Sequence, residues 1–147
     1  ALGQAVHRAL EWASHDSAHD LPALAQAAAA AFAVADARAV QSVAERVLAS
    51  PACRRFFDPR SIVWAGSEVA VASADGLPRR IDRLVLLAAP ERCWWVLDYK
   101  LSGAPQDDAA LLAQLAAYRA AVAALVSGEP VRAAFITARG ELIEPVA

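Results

Sequence analysis

Two aspartates and one lysine in the second half of the sequence could form a catalytic cluster. Lys100 is the only lysine of the chain, every other basic side chain being arginine, and it follows Asp98 by two residues. A lysine ammonium is a compact charge, whereas the guanidinium charge is delocalised, so lysine can come close to a water or phosphate oxygen. Carboxylates beside such a cation could hold a divalent metal next to the ammonium.

The spacing of Asp82 and Asp98 predicts that the two carboxylates face each other across a β-hairpin. Each lies in a strand-like segment, and the connection between the two segments is short enough for a hairpin. With Leu86 or the next residue opposite Trp94, Asp82 falls opposite Asp98 or the residue after it. Antiparallel partners lie about 4.5–5.5 Å apart at Cβ, where like charges destabilise each other unless a cation lies between them. Mg²⁺ is such a cation, bound by one or two carboxylates plus waters.

A purely structural interpretation of the same residues is also open. Asp82 could pair with Arg80 or Arg83, and Asp98 with Lys100, which would make ordinary ion pairs. Strand alternation places Asp98 and Lys100 on one face at the end of an apolar strand. That position favours ligand sites in α/β sheets, but spacing alone leaves both interpretations in place.

The pattern of apolar residues predicts helices in the first third of the chain and mainly strands after it. An apolar stripe from Leu2 to Ala13 indicates a first helix, a polar break covers 14–20, and Asp20 and Asp36 can cap two further helices. The later predicted elements are strands at 62–64, 68–73, 80–87 and 94–100, a helix at 106–126, and strands at 131–137 and 142–143. This order predicts an α/β fold, a mixed β-sheet flanked by helices with an N-terminal helical segment.

Two further sequence signals refine these elements. Asp75-Gly76, between the second and third predicted strands, is typical of a hairpin turn. The predicted helix 106–126 has one apolar face, formed by Leu111, Leu115, Tyr118, Val122 and Leu125.

The composition is that of one globular domain. The chain has 147 residues, of which 58% are hydrophobic and 20% charged, enough to bury a core. Its net charge of −2 gives no overall basic surface, so nucleic acid would have to bind a local patch.

Cys53 and Cys93 lack the spacing of a zinc site or an iron–sulfur cluster. With no signal peptide and no apolar run long enough for a membrane, we expect a cytoplasmic location. The absence of methionine, even at position 1, suggests a piece of a longer protein.

Four sequence motifs together match one known family. They are the segment Gly3 to Glu11, the segment Arg80 to Leu84, the segment Trp95 to Lys100, and Gln114-x-x-x-Tyr118. Their order and spacing resemble the nuclease domain of the AddA and RecB type, which belongs to the PD-(D/E)xK superfamily and lies at the C-terminus of UvrD-like helicases. The resemblance covers nearly the whole chain. It implies a restriction-endonuclease-like fold, with residues 1–147 as a single nuclease domain and as a C-terminal fragment of a larger helicase-nuclease.

The resemblance also implies roles for individual residues. His7, Asp82 and Asp98 would bind a divalent metal, Mg²⁺ or alternatively Mn²⁺, together with the backbone carbonyl of Tyr99. Asp82, Asp98 and Lys100 would be the catalytic residues. Lys100 would orient the attacking water and stabilise charge that develops on the phosphate.

Further positions of this sequence correspond to supporting residues of the family. Gln114 and Tyr118 match the motif that lies beside the site and helps to hold it and the DNA strand. Arg79 replaces a glycine that is usual in the family, and Arg79 and Arg80 are expected to contact phosphate. Glu68 is similar to an acidic position of the superfamily, although an exposed charge at a strand edge explains it equally well.

The implied function is hydrolysis of DNA strands delivered by an attached helicase, in double-strand-break repair and recombination. The implied partners are DNA, chiefly single strands bound through the backbone, the helicase domains of the same chain, and an AddB- or RecC-like subunit. ATP would act only in the helicase part, and the absent four-cysteine iron–sulfur pattern favours the AddA side. Two alternatives remain open, a catalytically silent docking or DNA-binding module and an unrelated α/β ligand-binding domain.

Overall fold

The computed structural model describes residues 1–15 and 20–146, so residues 16–19 of the predicted polar break lie outside it. Its helices are α1 Leu2–His15, α2 Leu21–Ala31, α3 Ala37–Ala49 and α4 Ala109–Leu125, and its strands are β1 Ile62–Ala72, β2 Pro78–Leu87, β3 Trp94–Lys100, β4 Val131–Thr137 and β5 Leu142–Ile143. The strands form one sheet in the order β1-β2-β3-β4-β5, antiparallel except for the parallel pair β3 and β4. This confirms the predicted mixed sheet flanked by helices, with α4 as the crossover.

Aspartate side chains begin the three later helices. Asp20 accepts a hydrogen bond from a first-turn N–H group of α2 at 3.3 Å, and Asp36 accepts two in α3 at 3.0 and 3.2 Å, as predicted. Asp108 does the same for α4, at 2.9 and 3.3 Å. The start predicted for this helix at residue 106 is wrong, because Pro105–Asp107 forms a 3-10 turn and Asp108 provides the cap.

β1 is one strand where the sequence predicts two. Its pairing with β2 extends from Ile62 to Ala72, with one irregularity between Ile62 and Trp64. A Cβ atom at Gly66 would lie 2.9 Å from the side chains of both Trp64 and Val69, so those side chains close over the glycine. The small residues of this stretch break the apolar alternation that marks a strand, and pairing with β2 keeps the stretch extended nonetheless.

Two hairpins connect the first three strands. Gly76 adopts φ 76° in the predicted turn between β1 and β2, a left-handed conformation that glycine adopts without strain. β2 and β3 pair with Leu86 opposite Trp94, the first of the two predicted registers. The same register, continued along the strands, brings Asp82 level with Asp98.

The sheet separates two apolar cores. Helices α1, α2 and α3 cover one face, against alternate side chains of residues 95–99 in β3. Helix α4 covers the other face, against Val96 and its neighbours. The apolar face predicted for α4 ends at Val122, because Leu125 is 74% exposed. β3 is therefore buried on both faces, as predicted.

Replacing Asp108 with alanine should destabilise the protein, because α4 would lose the side chain that satisfies its first N–H groups. Loss of such a cap costs about 1 kcal/mol of unfolding free energy, measurable by urea denaturation. The control is Asp107→Ala, a neighbouring aspartate that does not cap α4. Equal stability losses in both variants would contradict the assignment of the cap.

Candidate metal centre

Two carboxylates meet where β2 leaves its ladder with β3. The Oδ2 atom of Asp82 accepts a hydrogen bond of 2.8 Å from the backbone N–H of Tyr99, which ties β2 to the end of β3. Asp98, the residue before Tyr99 in β3, is only 4% exposed. Burial raises the pKa of Asp82 above its usual range, and the neighbouring Asp98 side chain raises it further. The nearby Asp98 carboxylate therefore makes ionisation of Asp82 costly.

His7 reaches this pair from α1. Its Nε2 atom lies 3.2 Å from the carbonyl oxygen of Tyr99, and its Nδ1 atom lies 3.5 Å from Oδ1 of Asp82. A carbonyl can only accept, so we assign the ring hydrogen to Nε2, which leaves the Nδ1 lone pair facing Asp82. Burial lowers the pKa of His7, which favours the neutral ring. Two acceptors facing each other need a proton or a cation between them.

One oxygen of Asp98 provides a direct test of fit for a metal. Its Oδ2 atom is buried and has no hydrogen-bond partner among the described residues. Nζ of Lys100 lies 3.4 Å away, an ion-pair distance without hydrogen-bond geometry. Burying a carboxylate oxygen without a partner is costly. Carboxylate oxygens and imidazole nitrogens are both common ligands of divalent metals, so the residues present fit a divalent ion.

Glu68 completes the cluster and is absent from the site predicted from sequence. It lies opposite Asp82, between two paired positions of the β1–β2 ladder, and adopts φ 52°. One ligand atom from each of His7, Glu68 and Asp82 lies within 4.8 Å of the others. A left-handed backbone is unfavourable for a residue other than glycine, and such strain is often found at functional sites. Similarity to an acidic superfamily position was the one signal for it in the sequence.

The ion-pair interpretation holds for only one of the two aspartates. Among the described residues, Asp82 forms no ion pair with Arg80 or Arg83. Arg80 donates a hydrogen bond of 3.4 Å to a backbone carbonyl in β1. The buried Arg83 donates a hydrogen bond of 3.0 Å to a backbone carbonyl in the segment that precedes β1. Asp98 does lie at ion-pair distance from Lys100. Arginine therefore does not neutralise the acidic pair.

The two site residues predicted on α4, Tyr118 and Gln114, differ in their surroundings. Tyr118 is buried below α4, and its pKa is raised by burial and, to a smaller extent, by the charges of Asp98 and Asp82. Gln114, one turn earlier, lines a surface depression together with Arg79. Within the described chain, Gln114 forms no hydrogen bond with either aspartate, and Arg79 pairs at 3.3 Å with an aspartate of the β1–β2 turn.

The sequence matches the family model of the PD-(D/E)XK nuclease superfamily over residues 1–145, and the chain belongs to that superfamily. The five-stranded mixed sheet with its flanking helices has the restriction-endonuclease-like α/β fold expected of a member. A comparison with curated proteins finds no match. None of the described helices has both the length and the hydropathy that crossing a bilayer requires.

Replacing Glu68 with glycine should stabilise the metal-free protein relative to Glu68→Ala. Both variants remove the carboxylate from the acidic cluster, but only glycine relieves the left-handed backbone, which is worth about 1 kcal/mol. Urea denaturation in the presence of a chelator measures the difference. Equal stability of the two variants would show that the backbone at this position carries no strain.

Replacing Asp82 with asparagine should change how the stability of the metal-free protein depends on pH. The folded state raises the pKa of Asp82 and so binds its proton more tightly than the unfolded chain does. That contribution is complete at low pH and is lost as pH rises from about 4 into the neutral range. Asp82→Asn should therefore gain stability relative to the wild type as pH rises, in denaturation curves recorded across this range. A constant difference would contradict the raised pKa.

Proposed function

We propose that this chain is a Mg²⁺-dependent deoxyribonuclease, active also with Mn²⁺, that hydrolyses phosphodiester bonds of DNA. Membership of the nuclease superfamily supports the class of reaction. The observation that carries the proposal is the buried Oδ2 atom of Asp98, without a hydrogen-bond partner in the described chain, beside Asp82 and Lys100. A site with this need for positive charge, at the surface end of a buried strand, suits a metal and an anionic substrate.

Each side chain has a separate task in this mechanism. Asp82 and Asp98 would hold the ion, and His7 and the carbonyl of Tyr99 would complete the ligand set. A divalent ion bound here would polarise the phosphate and lower the pKa of a bound water. The hydrogen bond from Tyr99 N–H fixes the orientation of the Asp82 carboxylate before any ligand arrives.

Lys100 supplies fixed positive charge for the transition state. Its side chain is 26% exposed, so the ammonium can reach a substrate, while Asp98 holds it at 3.4 Å. Negative charge grows on the phosphate as water attacks, and a cation already in place stabilises that charge without having to reorganise. We assign to Lys100 both this role and the orientation of the attacking water.

The finer assignment is to the AddA and RecB type. Its support is the order of the four motifs, from the first helix to Gln114 and Tyr118 in α4. On this proposal residues 1–147 are one exonuclease-type domain of a larger, cytoplasmic helicase-nuclease, which cuts strands delivered by its motor during double-strand-break repair. An AddB- or RecC-like subunit is the proposed partner. Arg79 and Arg80 lie in β2, a few residues before Asp82, and are proposed to contact DNA phosphates.

Replacing Lys100 with alanine should lower cleavage of single-stranded DNA in Mg²⁺ about 100-fold or more, the size expected when one group that stabilises the transition state is removed. Lys100→Arg should also be impaired, because it keeps the charge but not the compact ammonium. Asp98→Ala should be at least as defective. The measurement is the initial rate of cleavage of a labelled oligonucleotide.

Arg38→Ala is the matched control, since it removes an exposed cation of α3 and should cut at the wild-type rate. Wild-type rates in Lys100→Ala or Asp98→Ala would refute the mechanism. Normal cleavage by Lys100→Arg would show that any cation suffices at this position. A wild-type chain that binds DNA in Mg²⁺ without cutting it would support a silent binding module instead.

A further inference from the structure

A groove leads from the candidate metal centre along α1. His7 and Glu68 line it at the metal end, and Arg80 lies beside them. Further along, Arg8 and Phe32 line the same groove, although the proposed chemistry uses neither. A strand whose phosphate lies at the metal would place the neighbouring nucleotide in this groove.

Arg8 is held in one orientation by its neighbours. Its Cζ atom lies 5.7 Å from the ring centroid of Trp12 and 5.5 Å from that of Phe32, within the range of cation–π contacts. Its Nε atom also lies 3.3 Å from Glu11. The side chain remains 42% exposed. The planar guanidinium and the half-buried Phe32 ring thus lie against each other, and both line the groove.

The charges of the groove favour an uncharged group over a phosphate. Arg8 and Arg80 are balanced by Glu11 and Glu68, and Arg8 is already paired with Glu11. A phosphate would meet two carboxylates there, whereas a nucleobase is flat, uncharged and able to stack on aromatic rings and on guanidinium planes. The phosphate would instead go to the metal and Lys100, where positive charge is concentrated.

We propose that this groove is a base-stacking subsite, in which Arg8 and Phe32 bind the unpaired base of the nucleotide next to the cleaved phosphate. The inference deepens the proposed nuclease function and rests on it. A duplex keeps its bases stacked inside the helix and offers no free face. The subsite therefore selects single-stranded DNA through a base as well as through the backbone, without reading sequence.

The test compares binding of two strands of equal length and charge, an oligothymidylate and its fully abasic counterpart. Every protein carries Lys100→Ala, so that the strands stay intact in Mg²⁺. The parent should bind the abasic strand roughly 5- to 150-fold more weakly, the usual loss of one stacked base. Phe32→Ala and Arg8→Lys should lose most of this preference, because the first removes the ring and the second keeps the charge without the plane.

Arg38→Ala in the same background is the control, and it should keep the full preference for the oligothymidylate over the abasic strand. Melting curves establish that each variant is folded. Equal affinity of the parent for the two strands would overturn the subsite, as would a full preference in folded Phe32→Ala or Arg8→Lys. Cleavage by the wild-type chain is measured separately. A base preference without any cleavage would refute the nuclease proposal and leave the stacking subsite in place.

Discussion

The approach of Asp82 to Asp98 is the constraint on which the rest of the site depends. A buried carboxylate and a partly buried one at neighbouring strand positions repel each other, so the folded chain needs a proton or a cation between them. The hairpin register enforces their proximity, and the hydrogen bond from Tyr99 N–H fixes one of the two side chains. His7, Glu68 and Lys100 contribute to the site because each of them lies beside one of these two carboxylates.

Two apolar cores hold the pair in place from opposite sides. The helices on one face pack against Tyr99, which keeps its carbonyl beside His7. Helix α4 packs on the other face, where Tyr118 is part of the second apolar core. The surface end of β3 is therefore rigid although it is polar. Rigid support of this kind lets a site keep like charges close together, because the side chains cannot relax apart.

Much of this arrangement could be predicted from the sequence, since local signals determine it. Aspartate caps, the Asp75-Gly76 turn and the length of the β2–β3 connection led to the helices, the first hairpin and two alternative registers, the first of which is observed. The place of Glu68 in the site could not be predicted, because it depends on a left-handed residue inside a strand, which no periodicity reveals. The exposure of Leu125 could not be predicted either, because it depends on where the sheet below α4 ends, which is a tertiary property.

The three predicted side-chain ligands come from distant parts of the sequence and from different layers of the fold. His7 belongs to the first helix, Asp82 to the second strand, and Asp98 to the strand between the two cores. An ion that binds all three binds only the fully assembled domain, so its binding energy is added to folding stability by mass action. Binding of such an ion would therefore link the availability of divalent ions to the stability of the folded chain. A partly folded chain would lack the complete ligand set and could not bind the ion in this way.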